Sequence, residues 1–356
     1  MDYSPIIMWL GFGMAAYSVA GNDVIQTLGT FLTSNEEKVS WQLLWLYVAG
    51  ILTVVLTLGW FDPFNWYEYE RGVSYGRLDE FEIPIVYSWY HIIPPLVLMI
   101  ITRTGIPTST TFMILTLFSL EKLPESVLEM AFSVVNTDTI LGSMLLKSII
   151  GYGLAFLFAL VVFIVITRFT EKFFIENPLP QKQRAIWATL QWFITGFLWW
   201  QWLTQDLANI YIYLRGGDNQ PPVVFLASLF LILALLAYIF SRRGGAVQEI
   251  VRQKINTFDI RSATFIDLIY GLALYAFKYD YFGLWGAKIP MSTTWVFLGL
   301  LAGREIALRY NLLKTVPKAT LTDLAKDLGK VFLGLVISIG LVYLIQWLNG
   351  GLSIGG

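Results

Sequence analysis

Cysteine is absent from this chain of 356 residues, and histidine occurs once, as His91. The first absence excludes disulfides and thiolate metal sites; the second leaves no room for a histidine metal cluster. Charge is scarce as well, with only 14% of residues Asp, Glu, Lys or Arg against roughly 25% in soluble domains. A net charge of −1 offers little to a phosphate backbone, so nucleic acid is not an expected partner. Neither a GxxxxGKS/T loop nor a nucleophile arrangement occurs, which argues against an ATP-driven pump, a membrane hydrolase, or any enzyme. The N-terminus lacks the basic start and cleavage site of a secretory leader, so no cleavable signal is expected.

Apolar side chains are what the sequence has in excess. Hydrophobic residues make up 56% and aromatic ones 16%, too little polar surface to cover a soluble globule of this size. Runs at Ser4–Ala20, Trp41–Trp60, Ile83–Ile101 and Leu141–Thr167 each approach the length needed to cross a bilayer. A second series follows at Ile186–Leu203, Val223–Phe240, Ala263–Phe282 and Val331–Leu348. Two shorter runs begin with proline, Pro107–Leu120 and Pro290–Leu308. Trp60, Trp66, Tyr67 and Tyr69, and likewise Trp199, Trp200 and Trp202, crowd run ends as an interfacial belt would. The expected class is an all-α polytopic membrane protein of a cell membrane, inner or plasma.

The second half repeats the first at a fixed offset of 183 residues. Asp23 pairs with Asp206, Thr108-Ser109-Thr110-Thr111 with Met291-Ser292-Thr293-Thr294, Lys147 with Lys330, Gly151 with Gly334 and Trp9 with Trp192. A gapless register across so many uncommon residues reads as duplication. Equivalent loops carry opposite charge. Phe61–Glu82 holds six acids against Arg71 and Arg77, whereas Ser241–Arg261 holds five bases against Glu249 and Asp259. Glu121–Lys147 sums to −2 and its counterpart Arg304–Lys330 to +3. By the positive-inside rule the matching loops lie on opposite sides of the membrane. The expectation is two inverted repeats of about five membrane elements each, ten in all, with broken or re-entrant helices at the proline-led runs. Residues 1–167 form the first repeat, 168–184 a cytoplasmic linker and 185–356 the second, with both termini outside.

Two polar clusters interrupt the apolar runs, each present twice. Asn22-Asp23 with Gln26, and Gln205-Asp206 with Asn209, place carboxamide, carboxylate and carboxamide in one spacing. An ionised Asp at the end of an apolar run is costly unless it meets a cation, a proton or a hydrogen-bonding shell. Asp23, Asp206, Gln26 and Gln205 are thus candidate Na⁺ ligands, with H⁺ on the carboxylates as the other coupling ion; no further cofactor is expected. The plainer alternative is that each Asp caps the next helix at the membrane surface. In the second cluster, proline suits a first helical turn, and Ser109, Thr110, Thr111, Ser292, Thr293 and Thr294 offer hydroxyls and free N–H groups to an anion. Plain helix capping is again the alternative. Carboxylates beside an anion repel it until cations bind, so co-binding is the physical origin of symport.

Other polar residues earn less. Lys147 and Lys330 either steer the anion or snorkel to headgroups, and His91, lacking a twin, reads as structural. Thr137 and Thr139, paired with Thr320 and Thr322, read as caps or supporting groups. The tryptophan pairs suit a homodimer interface or simply the lipid.

These motifs resemble the inorganic phosphate transporter (PiT) family, ion-coupled phosphate symporters. Its members carry two Gly-Ala-Asn-Asp-x-x-Asn-type signatures, each followed by Pro-x-Ser-Thr-Thr. Here the first reads Gly21-Asn22-Asp23-Val24-Ile25-Gln26, the second survives as Gln205-Asp206-Leu207-Ala208-Asn209, and Ser-Thr-Thr is intact at 109–111 and 292–294. The resemblance implies inverted repeats, outward termini, sodium and phosphate at the signature Asp and Asn residues (Asn22 and Asn209 among them), and phosphate at the Ser-Thr-Thr helix starts. Gln26 and Gln205 stand where the family has Asn, and Phe112 and Trp295 where many members have His. The resulting expectation is a secondary transporter of inorganic phosphate driven by Na⁺ or H⁺. Sulfate or another oxyanion, or a non-transporting scaffold on the same fold, stays open.

Overall fold

Among the described residues the long apolar runs are helical apart from the start of Ile83–Ile101, as expected where each backbone N–H and C=O must be satisfied within its own segment in a bilayer. The computed structural model describes residues 3–61, 72–103, 108–120, 126–166, 176–177, 179–217, 220–243, 248, 260–279 and 290–348, and no strand occurs among them. In the first half, α1 (Ser4–Val19) passes through a π-helical turn (Ala20–Val24) into α2 (Ile25–Asn35), giving one continuous helix of 32 residues. Then come α3 (Trp41–Phe61), a 3₁₀ turn (Trp89–Ile92) leading into α4 (Ile93–Arg103), α5 (Thr110–Phe118), α6 (Val127–Val135) and α7 (Ile140–Ile166). The second half holds α8 (Gln181–Asp206), α9 (Ala208–Tyr211) with its 3₁₀ extension (Ile212–Gly217), α10 (Pro222–Ser241), α11 (Ile260–Tyr279), α12 (Thr293–Leu313) and α13 (Lys318–Leu348).

Among the described residues, six helices are long and apolar enough to cross a membrane: Ser4–Asn35, α3, α7, α10, α11 and α13. Exposure is inverted relative to a water-soluble protein. Phe230, Val161 and Val336 are 74%, 62% and 62% exposed, while Asp23 and Asp206 are 2% and 1% exposed. A hydrocarbon solvent selects that pattern, with polar groups inside and aliphatic ones outside. The chain is a helical membrane protein.

Packing crosses between the halves. Helix α7 lies along α12, α13 along α5, and α3 meets α10, while α8 lies along α11 and α1 along α4 within their own halves. Small residues permit the closest approach. A Cβ on Gly299 would fall 2.3 Å from the carbonyl oxygen of Tyr152, and one on Gly303 would fall 2.2 Å from that of Phe156, so only glycine lets α12 lie against α7.

Three expectations need correction. The run Ile83–Ile101 is not one crossing helix: regular helix begins only at Ile93, after the 3₁₀ turn. Pro84 disfavours helix in the residue before it, and Pro94 and Pro95 fit only a first turn. The two proline-led runs are not alike, because α5 has 9 residues and α12 has 21. By sequence, Pro124 stands where the second half has Ala307. Trp199 and Trp202 do not belong to an interfacial belt; both are buried, their rings stacked 4.9 Å apart, with Trp199 Nε1 donating to the Val48 carbonyl at 3.1 Å. Of the described helices long enough to cross, α8 and α12 are less apolar than the six named above. Helix α8 falls short because Gln183, Gln191, Gln201 and Gln205 dilute it. Trp66, Tyr67 and Tyr69, Pro107, and linker residues 168–175 and 178 lie outside the described residues.

Candidate functional site

Asp23 sits in the π-helical turn, where one extra residue per turn breaks the regular bond ladder and re-aims a side chain inward. The matching position in the second half is also irregular: α8 stops at Asp206, and α9 restarts after Leu207. The surface-capping alternative therefore fails for both carboxylates. Asp23 lies within a continuous helix, both side chains are buried, and neither caps a helix start.

The hydroxyl motifs meet these carboxylates. Thr110 donates to Asp23 Oδ2, and Thr111 donates to Asp206 Oδ1 at 3.3 Å. From the other motif, Thr294 lies beside Asp23 and Thr293 beside Asp206. Asn209 Nδ2 reaches Asp206 Oδ1 at 2.9 Å and the Thr110 and Thr111 hydroxyls at 3.2 Å each. Asp23, Thr110, Asn209 and Asp206 thus form one unbroken chain, and the two carboxylates act on each other electrostatically. Asn22 Nδ2 bridges Asp23 Oδ1 and the Thr108 carbonyl, both at 2.6 Å, and Gln26 Nε2 donates to Asn22 Oδ1 at 2.9 Å. Gln205 turns outward from this cluster, its Nε2 bonding the Gln201 and Leu274 carbonyls at 3.3 Å.

The contacts come in pairs separated by the sequence offset. Thr111 Oγ1 reaches the Met291 carbonyl, and Thr294 Oγ1 reaches the Thr108 carbonyl, each at 3.5 Å. Ser109 caps α5 by accepting from Phe112 N, and Ser292 caps α12 by accepting from Trp295 N. The capping alternative thus describes the two serines, while the threonines face the carboxylates. Since α12 begins at Thr293, Pro290 precedes the cap rather than occupying the first helical turn.

Two acceptor oxygens in the cluster, Asp206 Oδ2 and Gln26 Oε1, have no hydrogen-bond partner. Buried acceptors left open are costly, and a cation or a donor-bearing ligand satisfies them. No group of three or more His, Asp or Glu side chains that could hold a metal ion occurs among the described residues.

Sequence reasoning missed two residues. Arg77, counted only as a loop charge, is buried and acts electrostatically on Asp206. Its loop is pinned by the Tyr75 hydroxyl on the Val55 carbonyl at 2.6 Å and packs where Gly59 leaves room. Asp267, on α11, is a third buried carboxylate; a lone Asp within an apolar run was the signal for it. The remaining assignments divide. Lys147 is buried and Lys330 exposed, 3.6 Å from Asp327. His91 is structural: its Nδ1 accepts the Ser88 N–H at 2.9 Å in a capping box. Thr139 caps α7 through Gly142 N, whereas Thr320 and Thr322 lie inside α13. Compared with family models, curated proteins and solved structures, the chain matches none.

Proposed function

We propose that this protein is an ion-coupled secondary transporter of inorganic phosphate, built as two inverted repeats and working by alternating access. The observation that carries the reading is the chain Asp23–Thr110–Asn209–Asp206, buried between helix starts from both halves and flanked by open acceptor oxygens. The paired contacts and the exchange of α5 and α12 between halves support the inversion. Resemblance to the phosphate transporter family rests on the same residues.

Chemically, the site combines two kinds of group that oppose each other until a ligand arrives. Two carboxylates in a low-dielectric interior repel an anion and need compensating positive charge, of which Arg77 supplies part. A Na⁺ or H⁺ supplies the rest. Once it binds, the positive ends of α5 and α12, with those first-turn N–H groups that the serine caps do not take, favour an oxyanion. Cation first, anion second, is the order this electrostatics dictates.

Uptake of labelled phosphate, sulfate and arsenate into proteoliposomes tests the reading, with Na⁺ and H⁺ gradients imposed separately. Phosphate accumulation that needs one of the gradients and vanishes in Asp23→Asn and Asp206→Asn is the expected result. Uptake that ignores both gradients, or survives both substitutions, rejects it.

A further inference from the structure

Asp267 lies on α11, 1% exposed, outside the paired-carboxylate cluster. Thr30 of α2 donates to its Oδ1, and Thr195 of α8 donates to its Oδ2 at 2.6 Å. No lysine or arginine among the described residues compensates it. An ionisable group held inside a membrane protein without a counter-ion is costly, and such residues mark ion and proton routes. Two hydroxyls and one carboxylate fall well short of the six or more oxygens that Ca²⁺ or Mg²⁺ collects, whereas a proton needs only the carboxylate.

Its position continues the cluster toward one membrane face. Asp23, Thr27, Thr30 and Ser34 recur along the π-turn and α2 at intervals of four, three and four, which stacks them on one side of the helix. The Tyr270 hydroxyl, beside Thr27, donates to the Thr293 carbonyl at 3.2 Å, and Asp267 is three residues earlier on α11. Beyond Thr195, Gln191 donates to Ser34 at 2.7 Å and accepts from Asn35 at 2.9 Å, at the end of α2. Polar side chains thus recur along this side of α2 from the cluster to that end as two bonded groups, Thr30–Asp267–Thr195 and Ser34–Gln191–Asn35, with Thr27 Oγ1 left without a hydrogen-bond partner. The same offset places Pro84, Phe12 and Met8 of the first half at the positions of Asp267, Thr195 and Gln191, and Tyr213 of the second half at the position of Thr30. There Tyr213 packs on Gly11 and stands edge-on to Phe118 at 5.4 Å.

The surrounding charged and titratable groups are placed as follows. Tyr47 of α3 acts on Asp267 electrostatically and bonds the Trp192 carbonyl; Tyr270 lies on α11 itself. Of the other charges on α11, Arg261 bonds the Asn177 carbonyl and Lys278 lies over the Tyr75 ring. The helices packed against α11 bring Lys182, Arg184 and Asp206 on α8, Lys147 on α7, and Arg304, Glu305 and Arg309 on α12, while Asp23 precedes α2.

We propose that Asp267 is a proton-carrying site on a one-sided polar route between the paired carboxylates and the membrane face where α2 ends. It deepens the transport reading above, on which its place in a coupling cycle rests. Thr30 and Thr195 hold the ionised form, and protonation frees one hydroxyl to turn along the route.

Infrared difference spectroscopy of the full chain in lipid, titrated from neutral to acid pH, reads the site without any substrate. The expected result is a buried protonated-carboxyl band in the wild type that disappears in Asp267→Asn, persists in Asp267→Glu, and moves in Thr195→Val. A band unchanged in Asp267→Asn would overturn the proposal. In proteoliposomes, Asp267→Asn should lose proton-driven accumulation of labelled phosphate yet keep phosphate exchange; unaltered proton-driven accumulation in that variant also overturns it. A wild type that takes up no phosphate but shows the Asp267 band rejects the transport reading and supports the proton site.

Discussion

The region around Asp267 and the region around Tyr213 occupy positions 183 residues apart, and they are filled in opposite ways. Around Asp267, hydroxyls and amides from α2 and α8 satisfy one another across helices. Around Tyr213, rings fill the space: its hydroxyl bonds the His91 carbonyl at 2.9 Å, Tyr87 bonds the Ile212 carbonyl at 2.5 Å, and Phe12 meets Tyr211 edge-on at 5.4 Å. A polar lining keeps donors and acceptors that water or a proton can use, and a ring lining excludes both. Positions related by the 183-residue offset therefore carry a polar lining in one region and an aromatic lining in the other, with the difference held in a few side chains.

Breaking what the two regions share should have the largest effect. Both converge on Asp23 and Asp206, so Asp206→Asn should weaken ion binding by at least about 2 kcal/mol, or roughly thirtyfold, read from the cation dependence of uptake. The absence of cysteine offers a sharper view of the sidedness, because any introduced thiol is the only one. Ser34→Cys should react with a membrane-impermeant thiol reagent added from the face where α2 ends, while Phe12→Cys stays unreactive from either face; equal labelling would erase the distinction. Packing gives the next effect. A Cβ on Gly11 would meet the Tyr213 ring at 2.3 Å, so Gly11→Ala should cost about 1–3 kcal/mol in thermal unfolding. Gly13→Ala, whose Cβ meets only Leu231 at 3.8 Å, should be close to neutral, and equal costs would mean the rings are loosely held. The smallest change is Trp199→Phe, which removes the bond to the Val48 carbonyl and should lower stability by about 1 kcal/mol in the same measurement.

Much of the cluster was legible before any coordinates, because the repeat flagged it twice. Asn22, Asp23, Asp206 and Asn209 and the threonines of both hydroxyl motifs do come together. The serines were legible only as part of a motif; that they spend their oxygens on caps depends on where each helix begins. Asp267 was visible as a charge in an apolar run but has no twin, so a reading built on duplication passed over it. Arg77 was hidden by its neighbours, since a loop dense in acids looks solvent-facing from end to end.

Hydropathy and charge are sums over neighbouring residues, and on that basis alone the chain was determined to be helical and membrane-embedded. The register of the repeat added which polar side chains belong to one set. Only the tertiary structure decided how deep each run is buried, which tryptophans turn inward, and that Thr30 and Asp267, 237 residues apart in the chain, share a hydrogen bond. Such contacts depend on which helix faces lie against each other, a property of packed pairs that no local window of sequence contains.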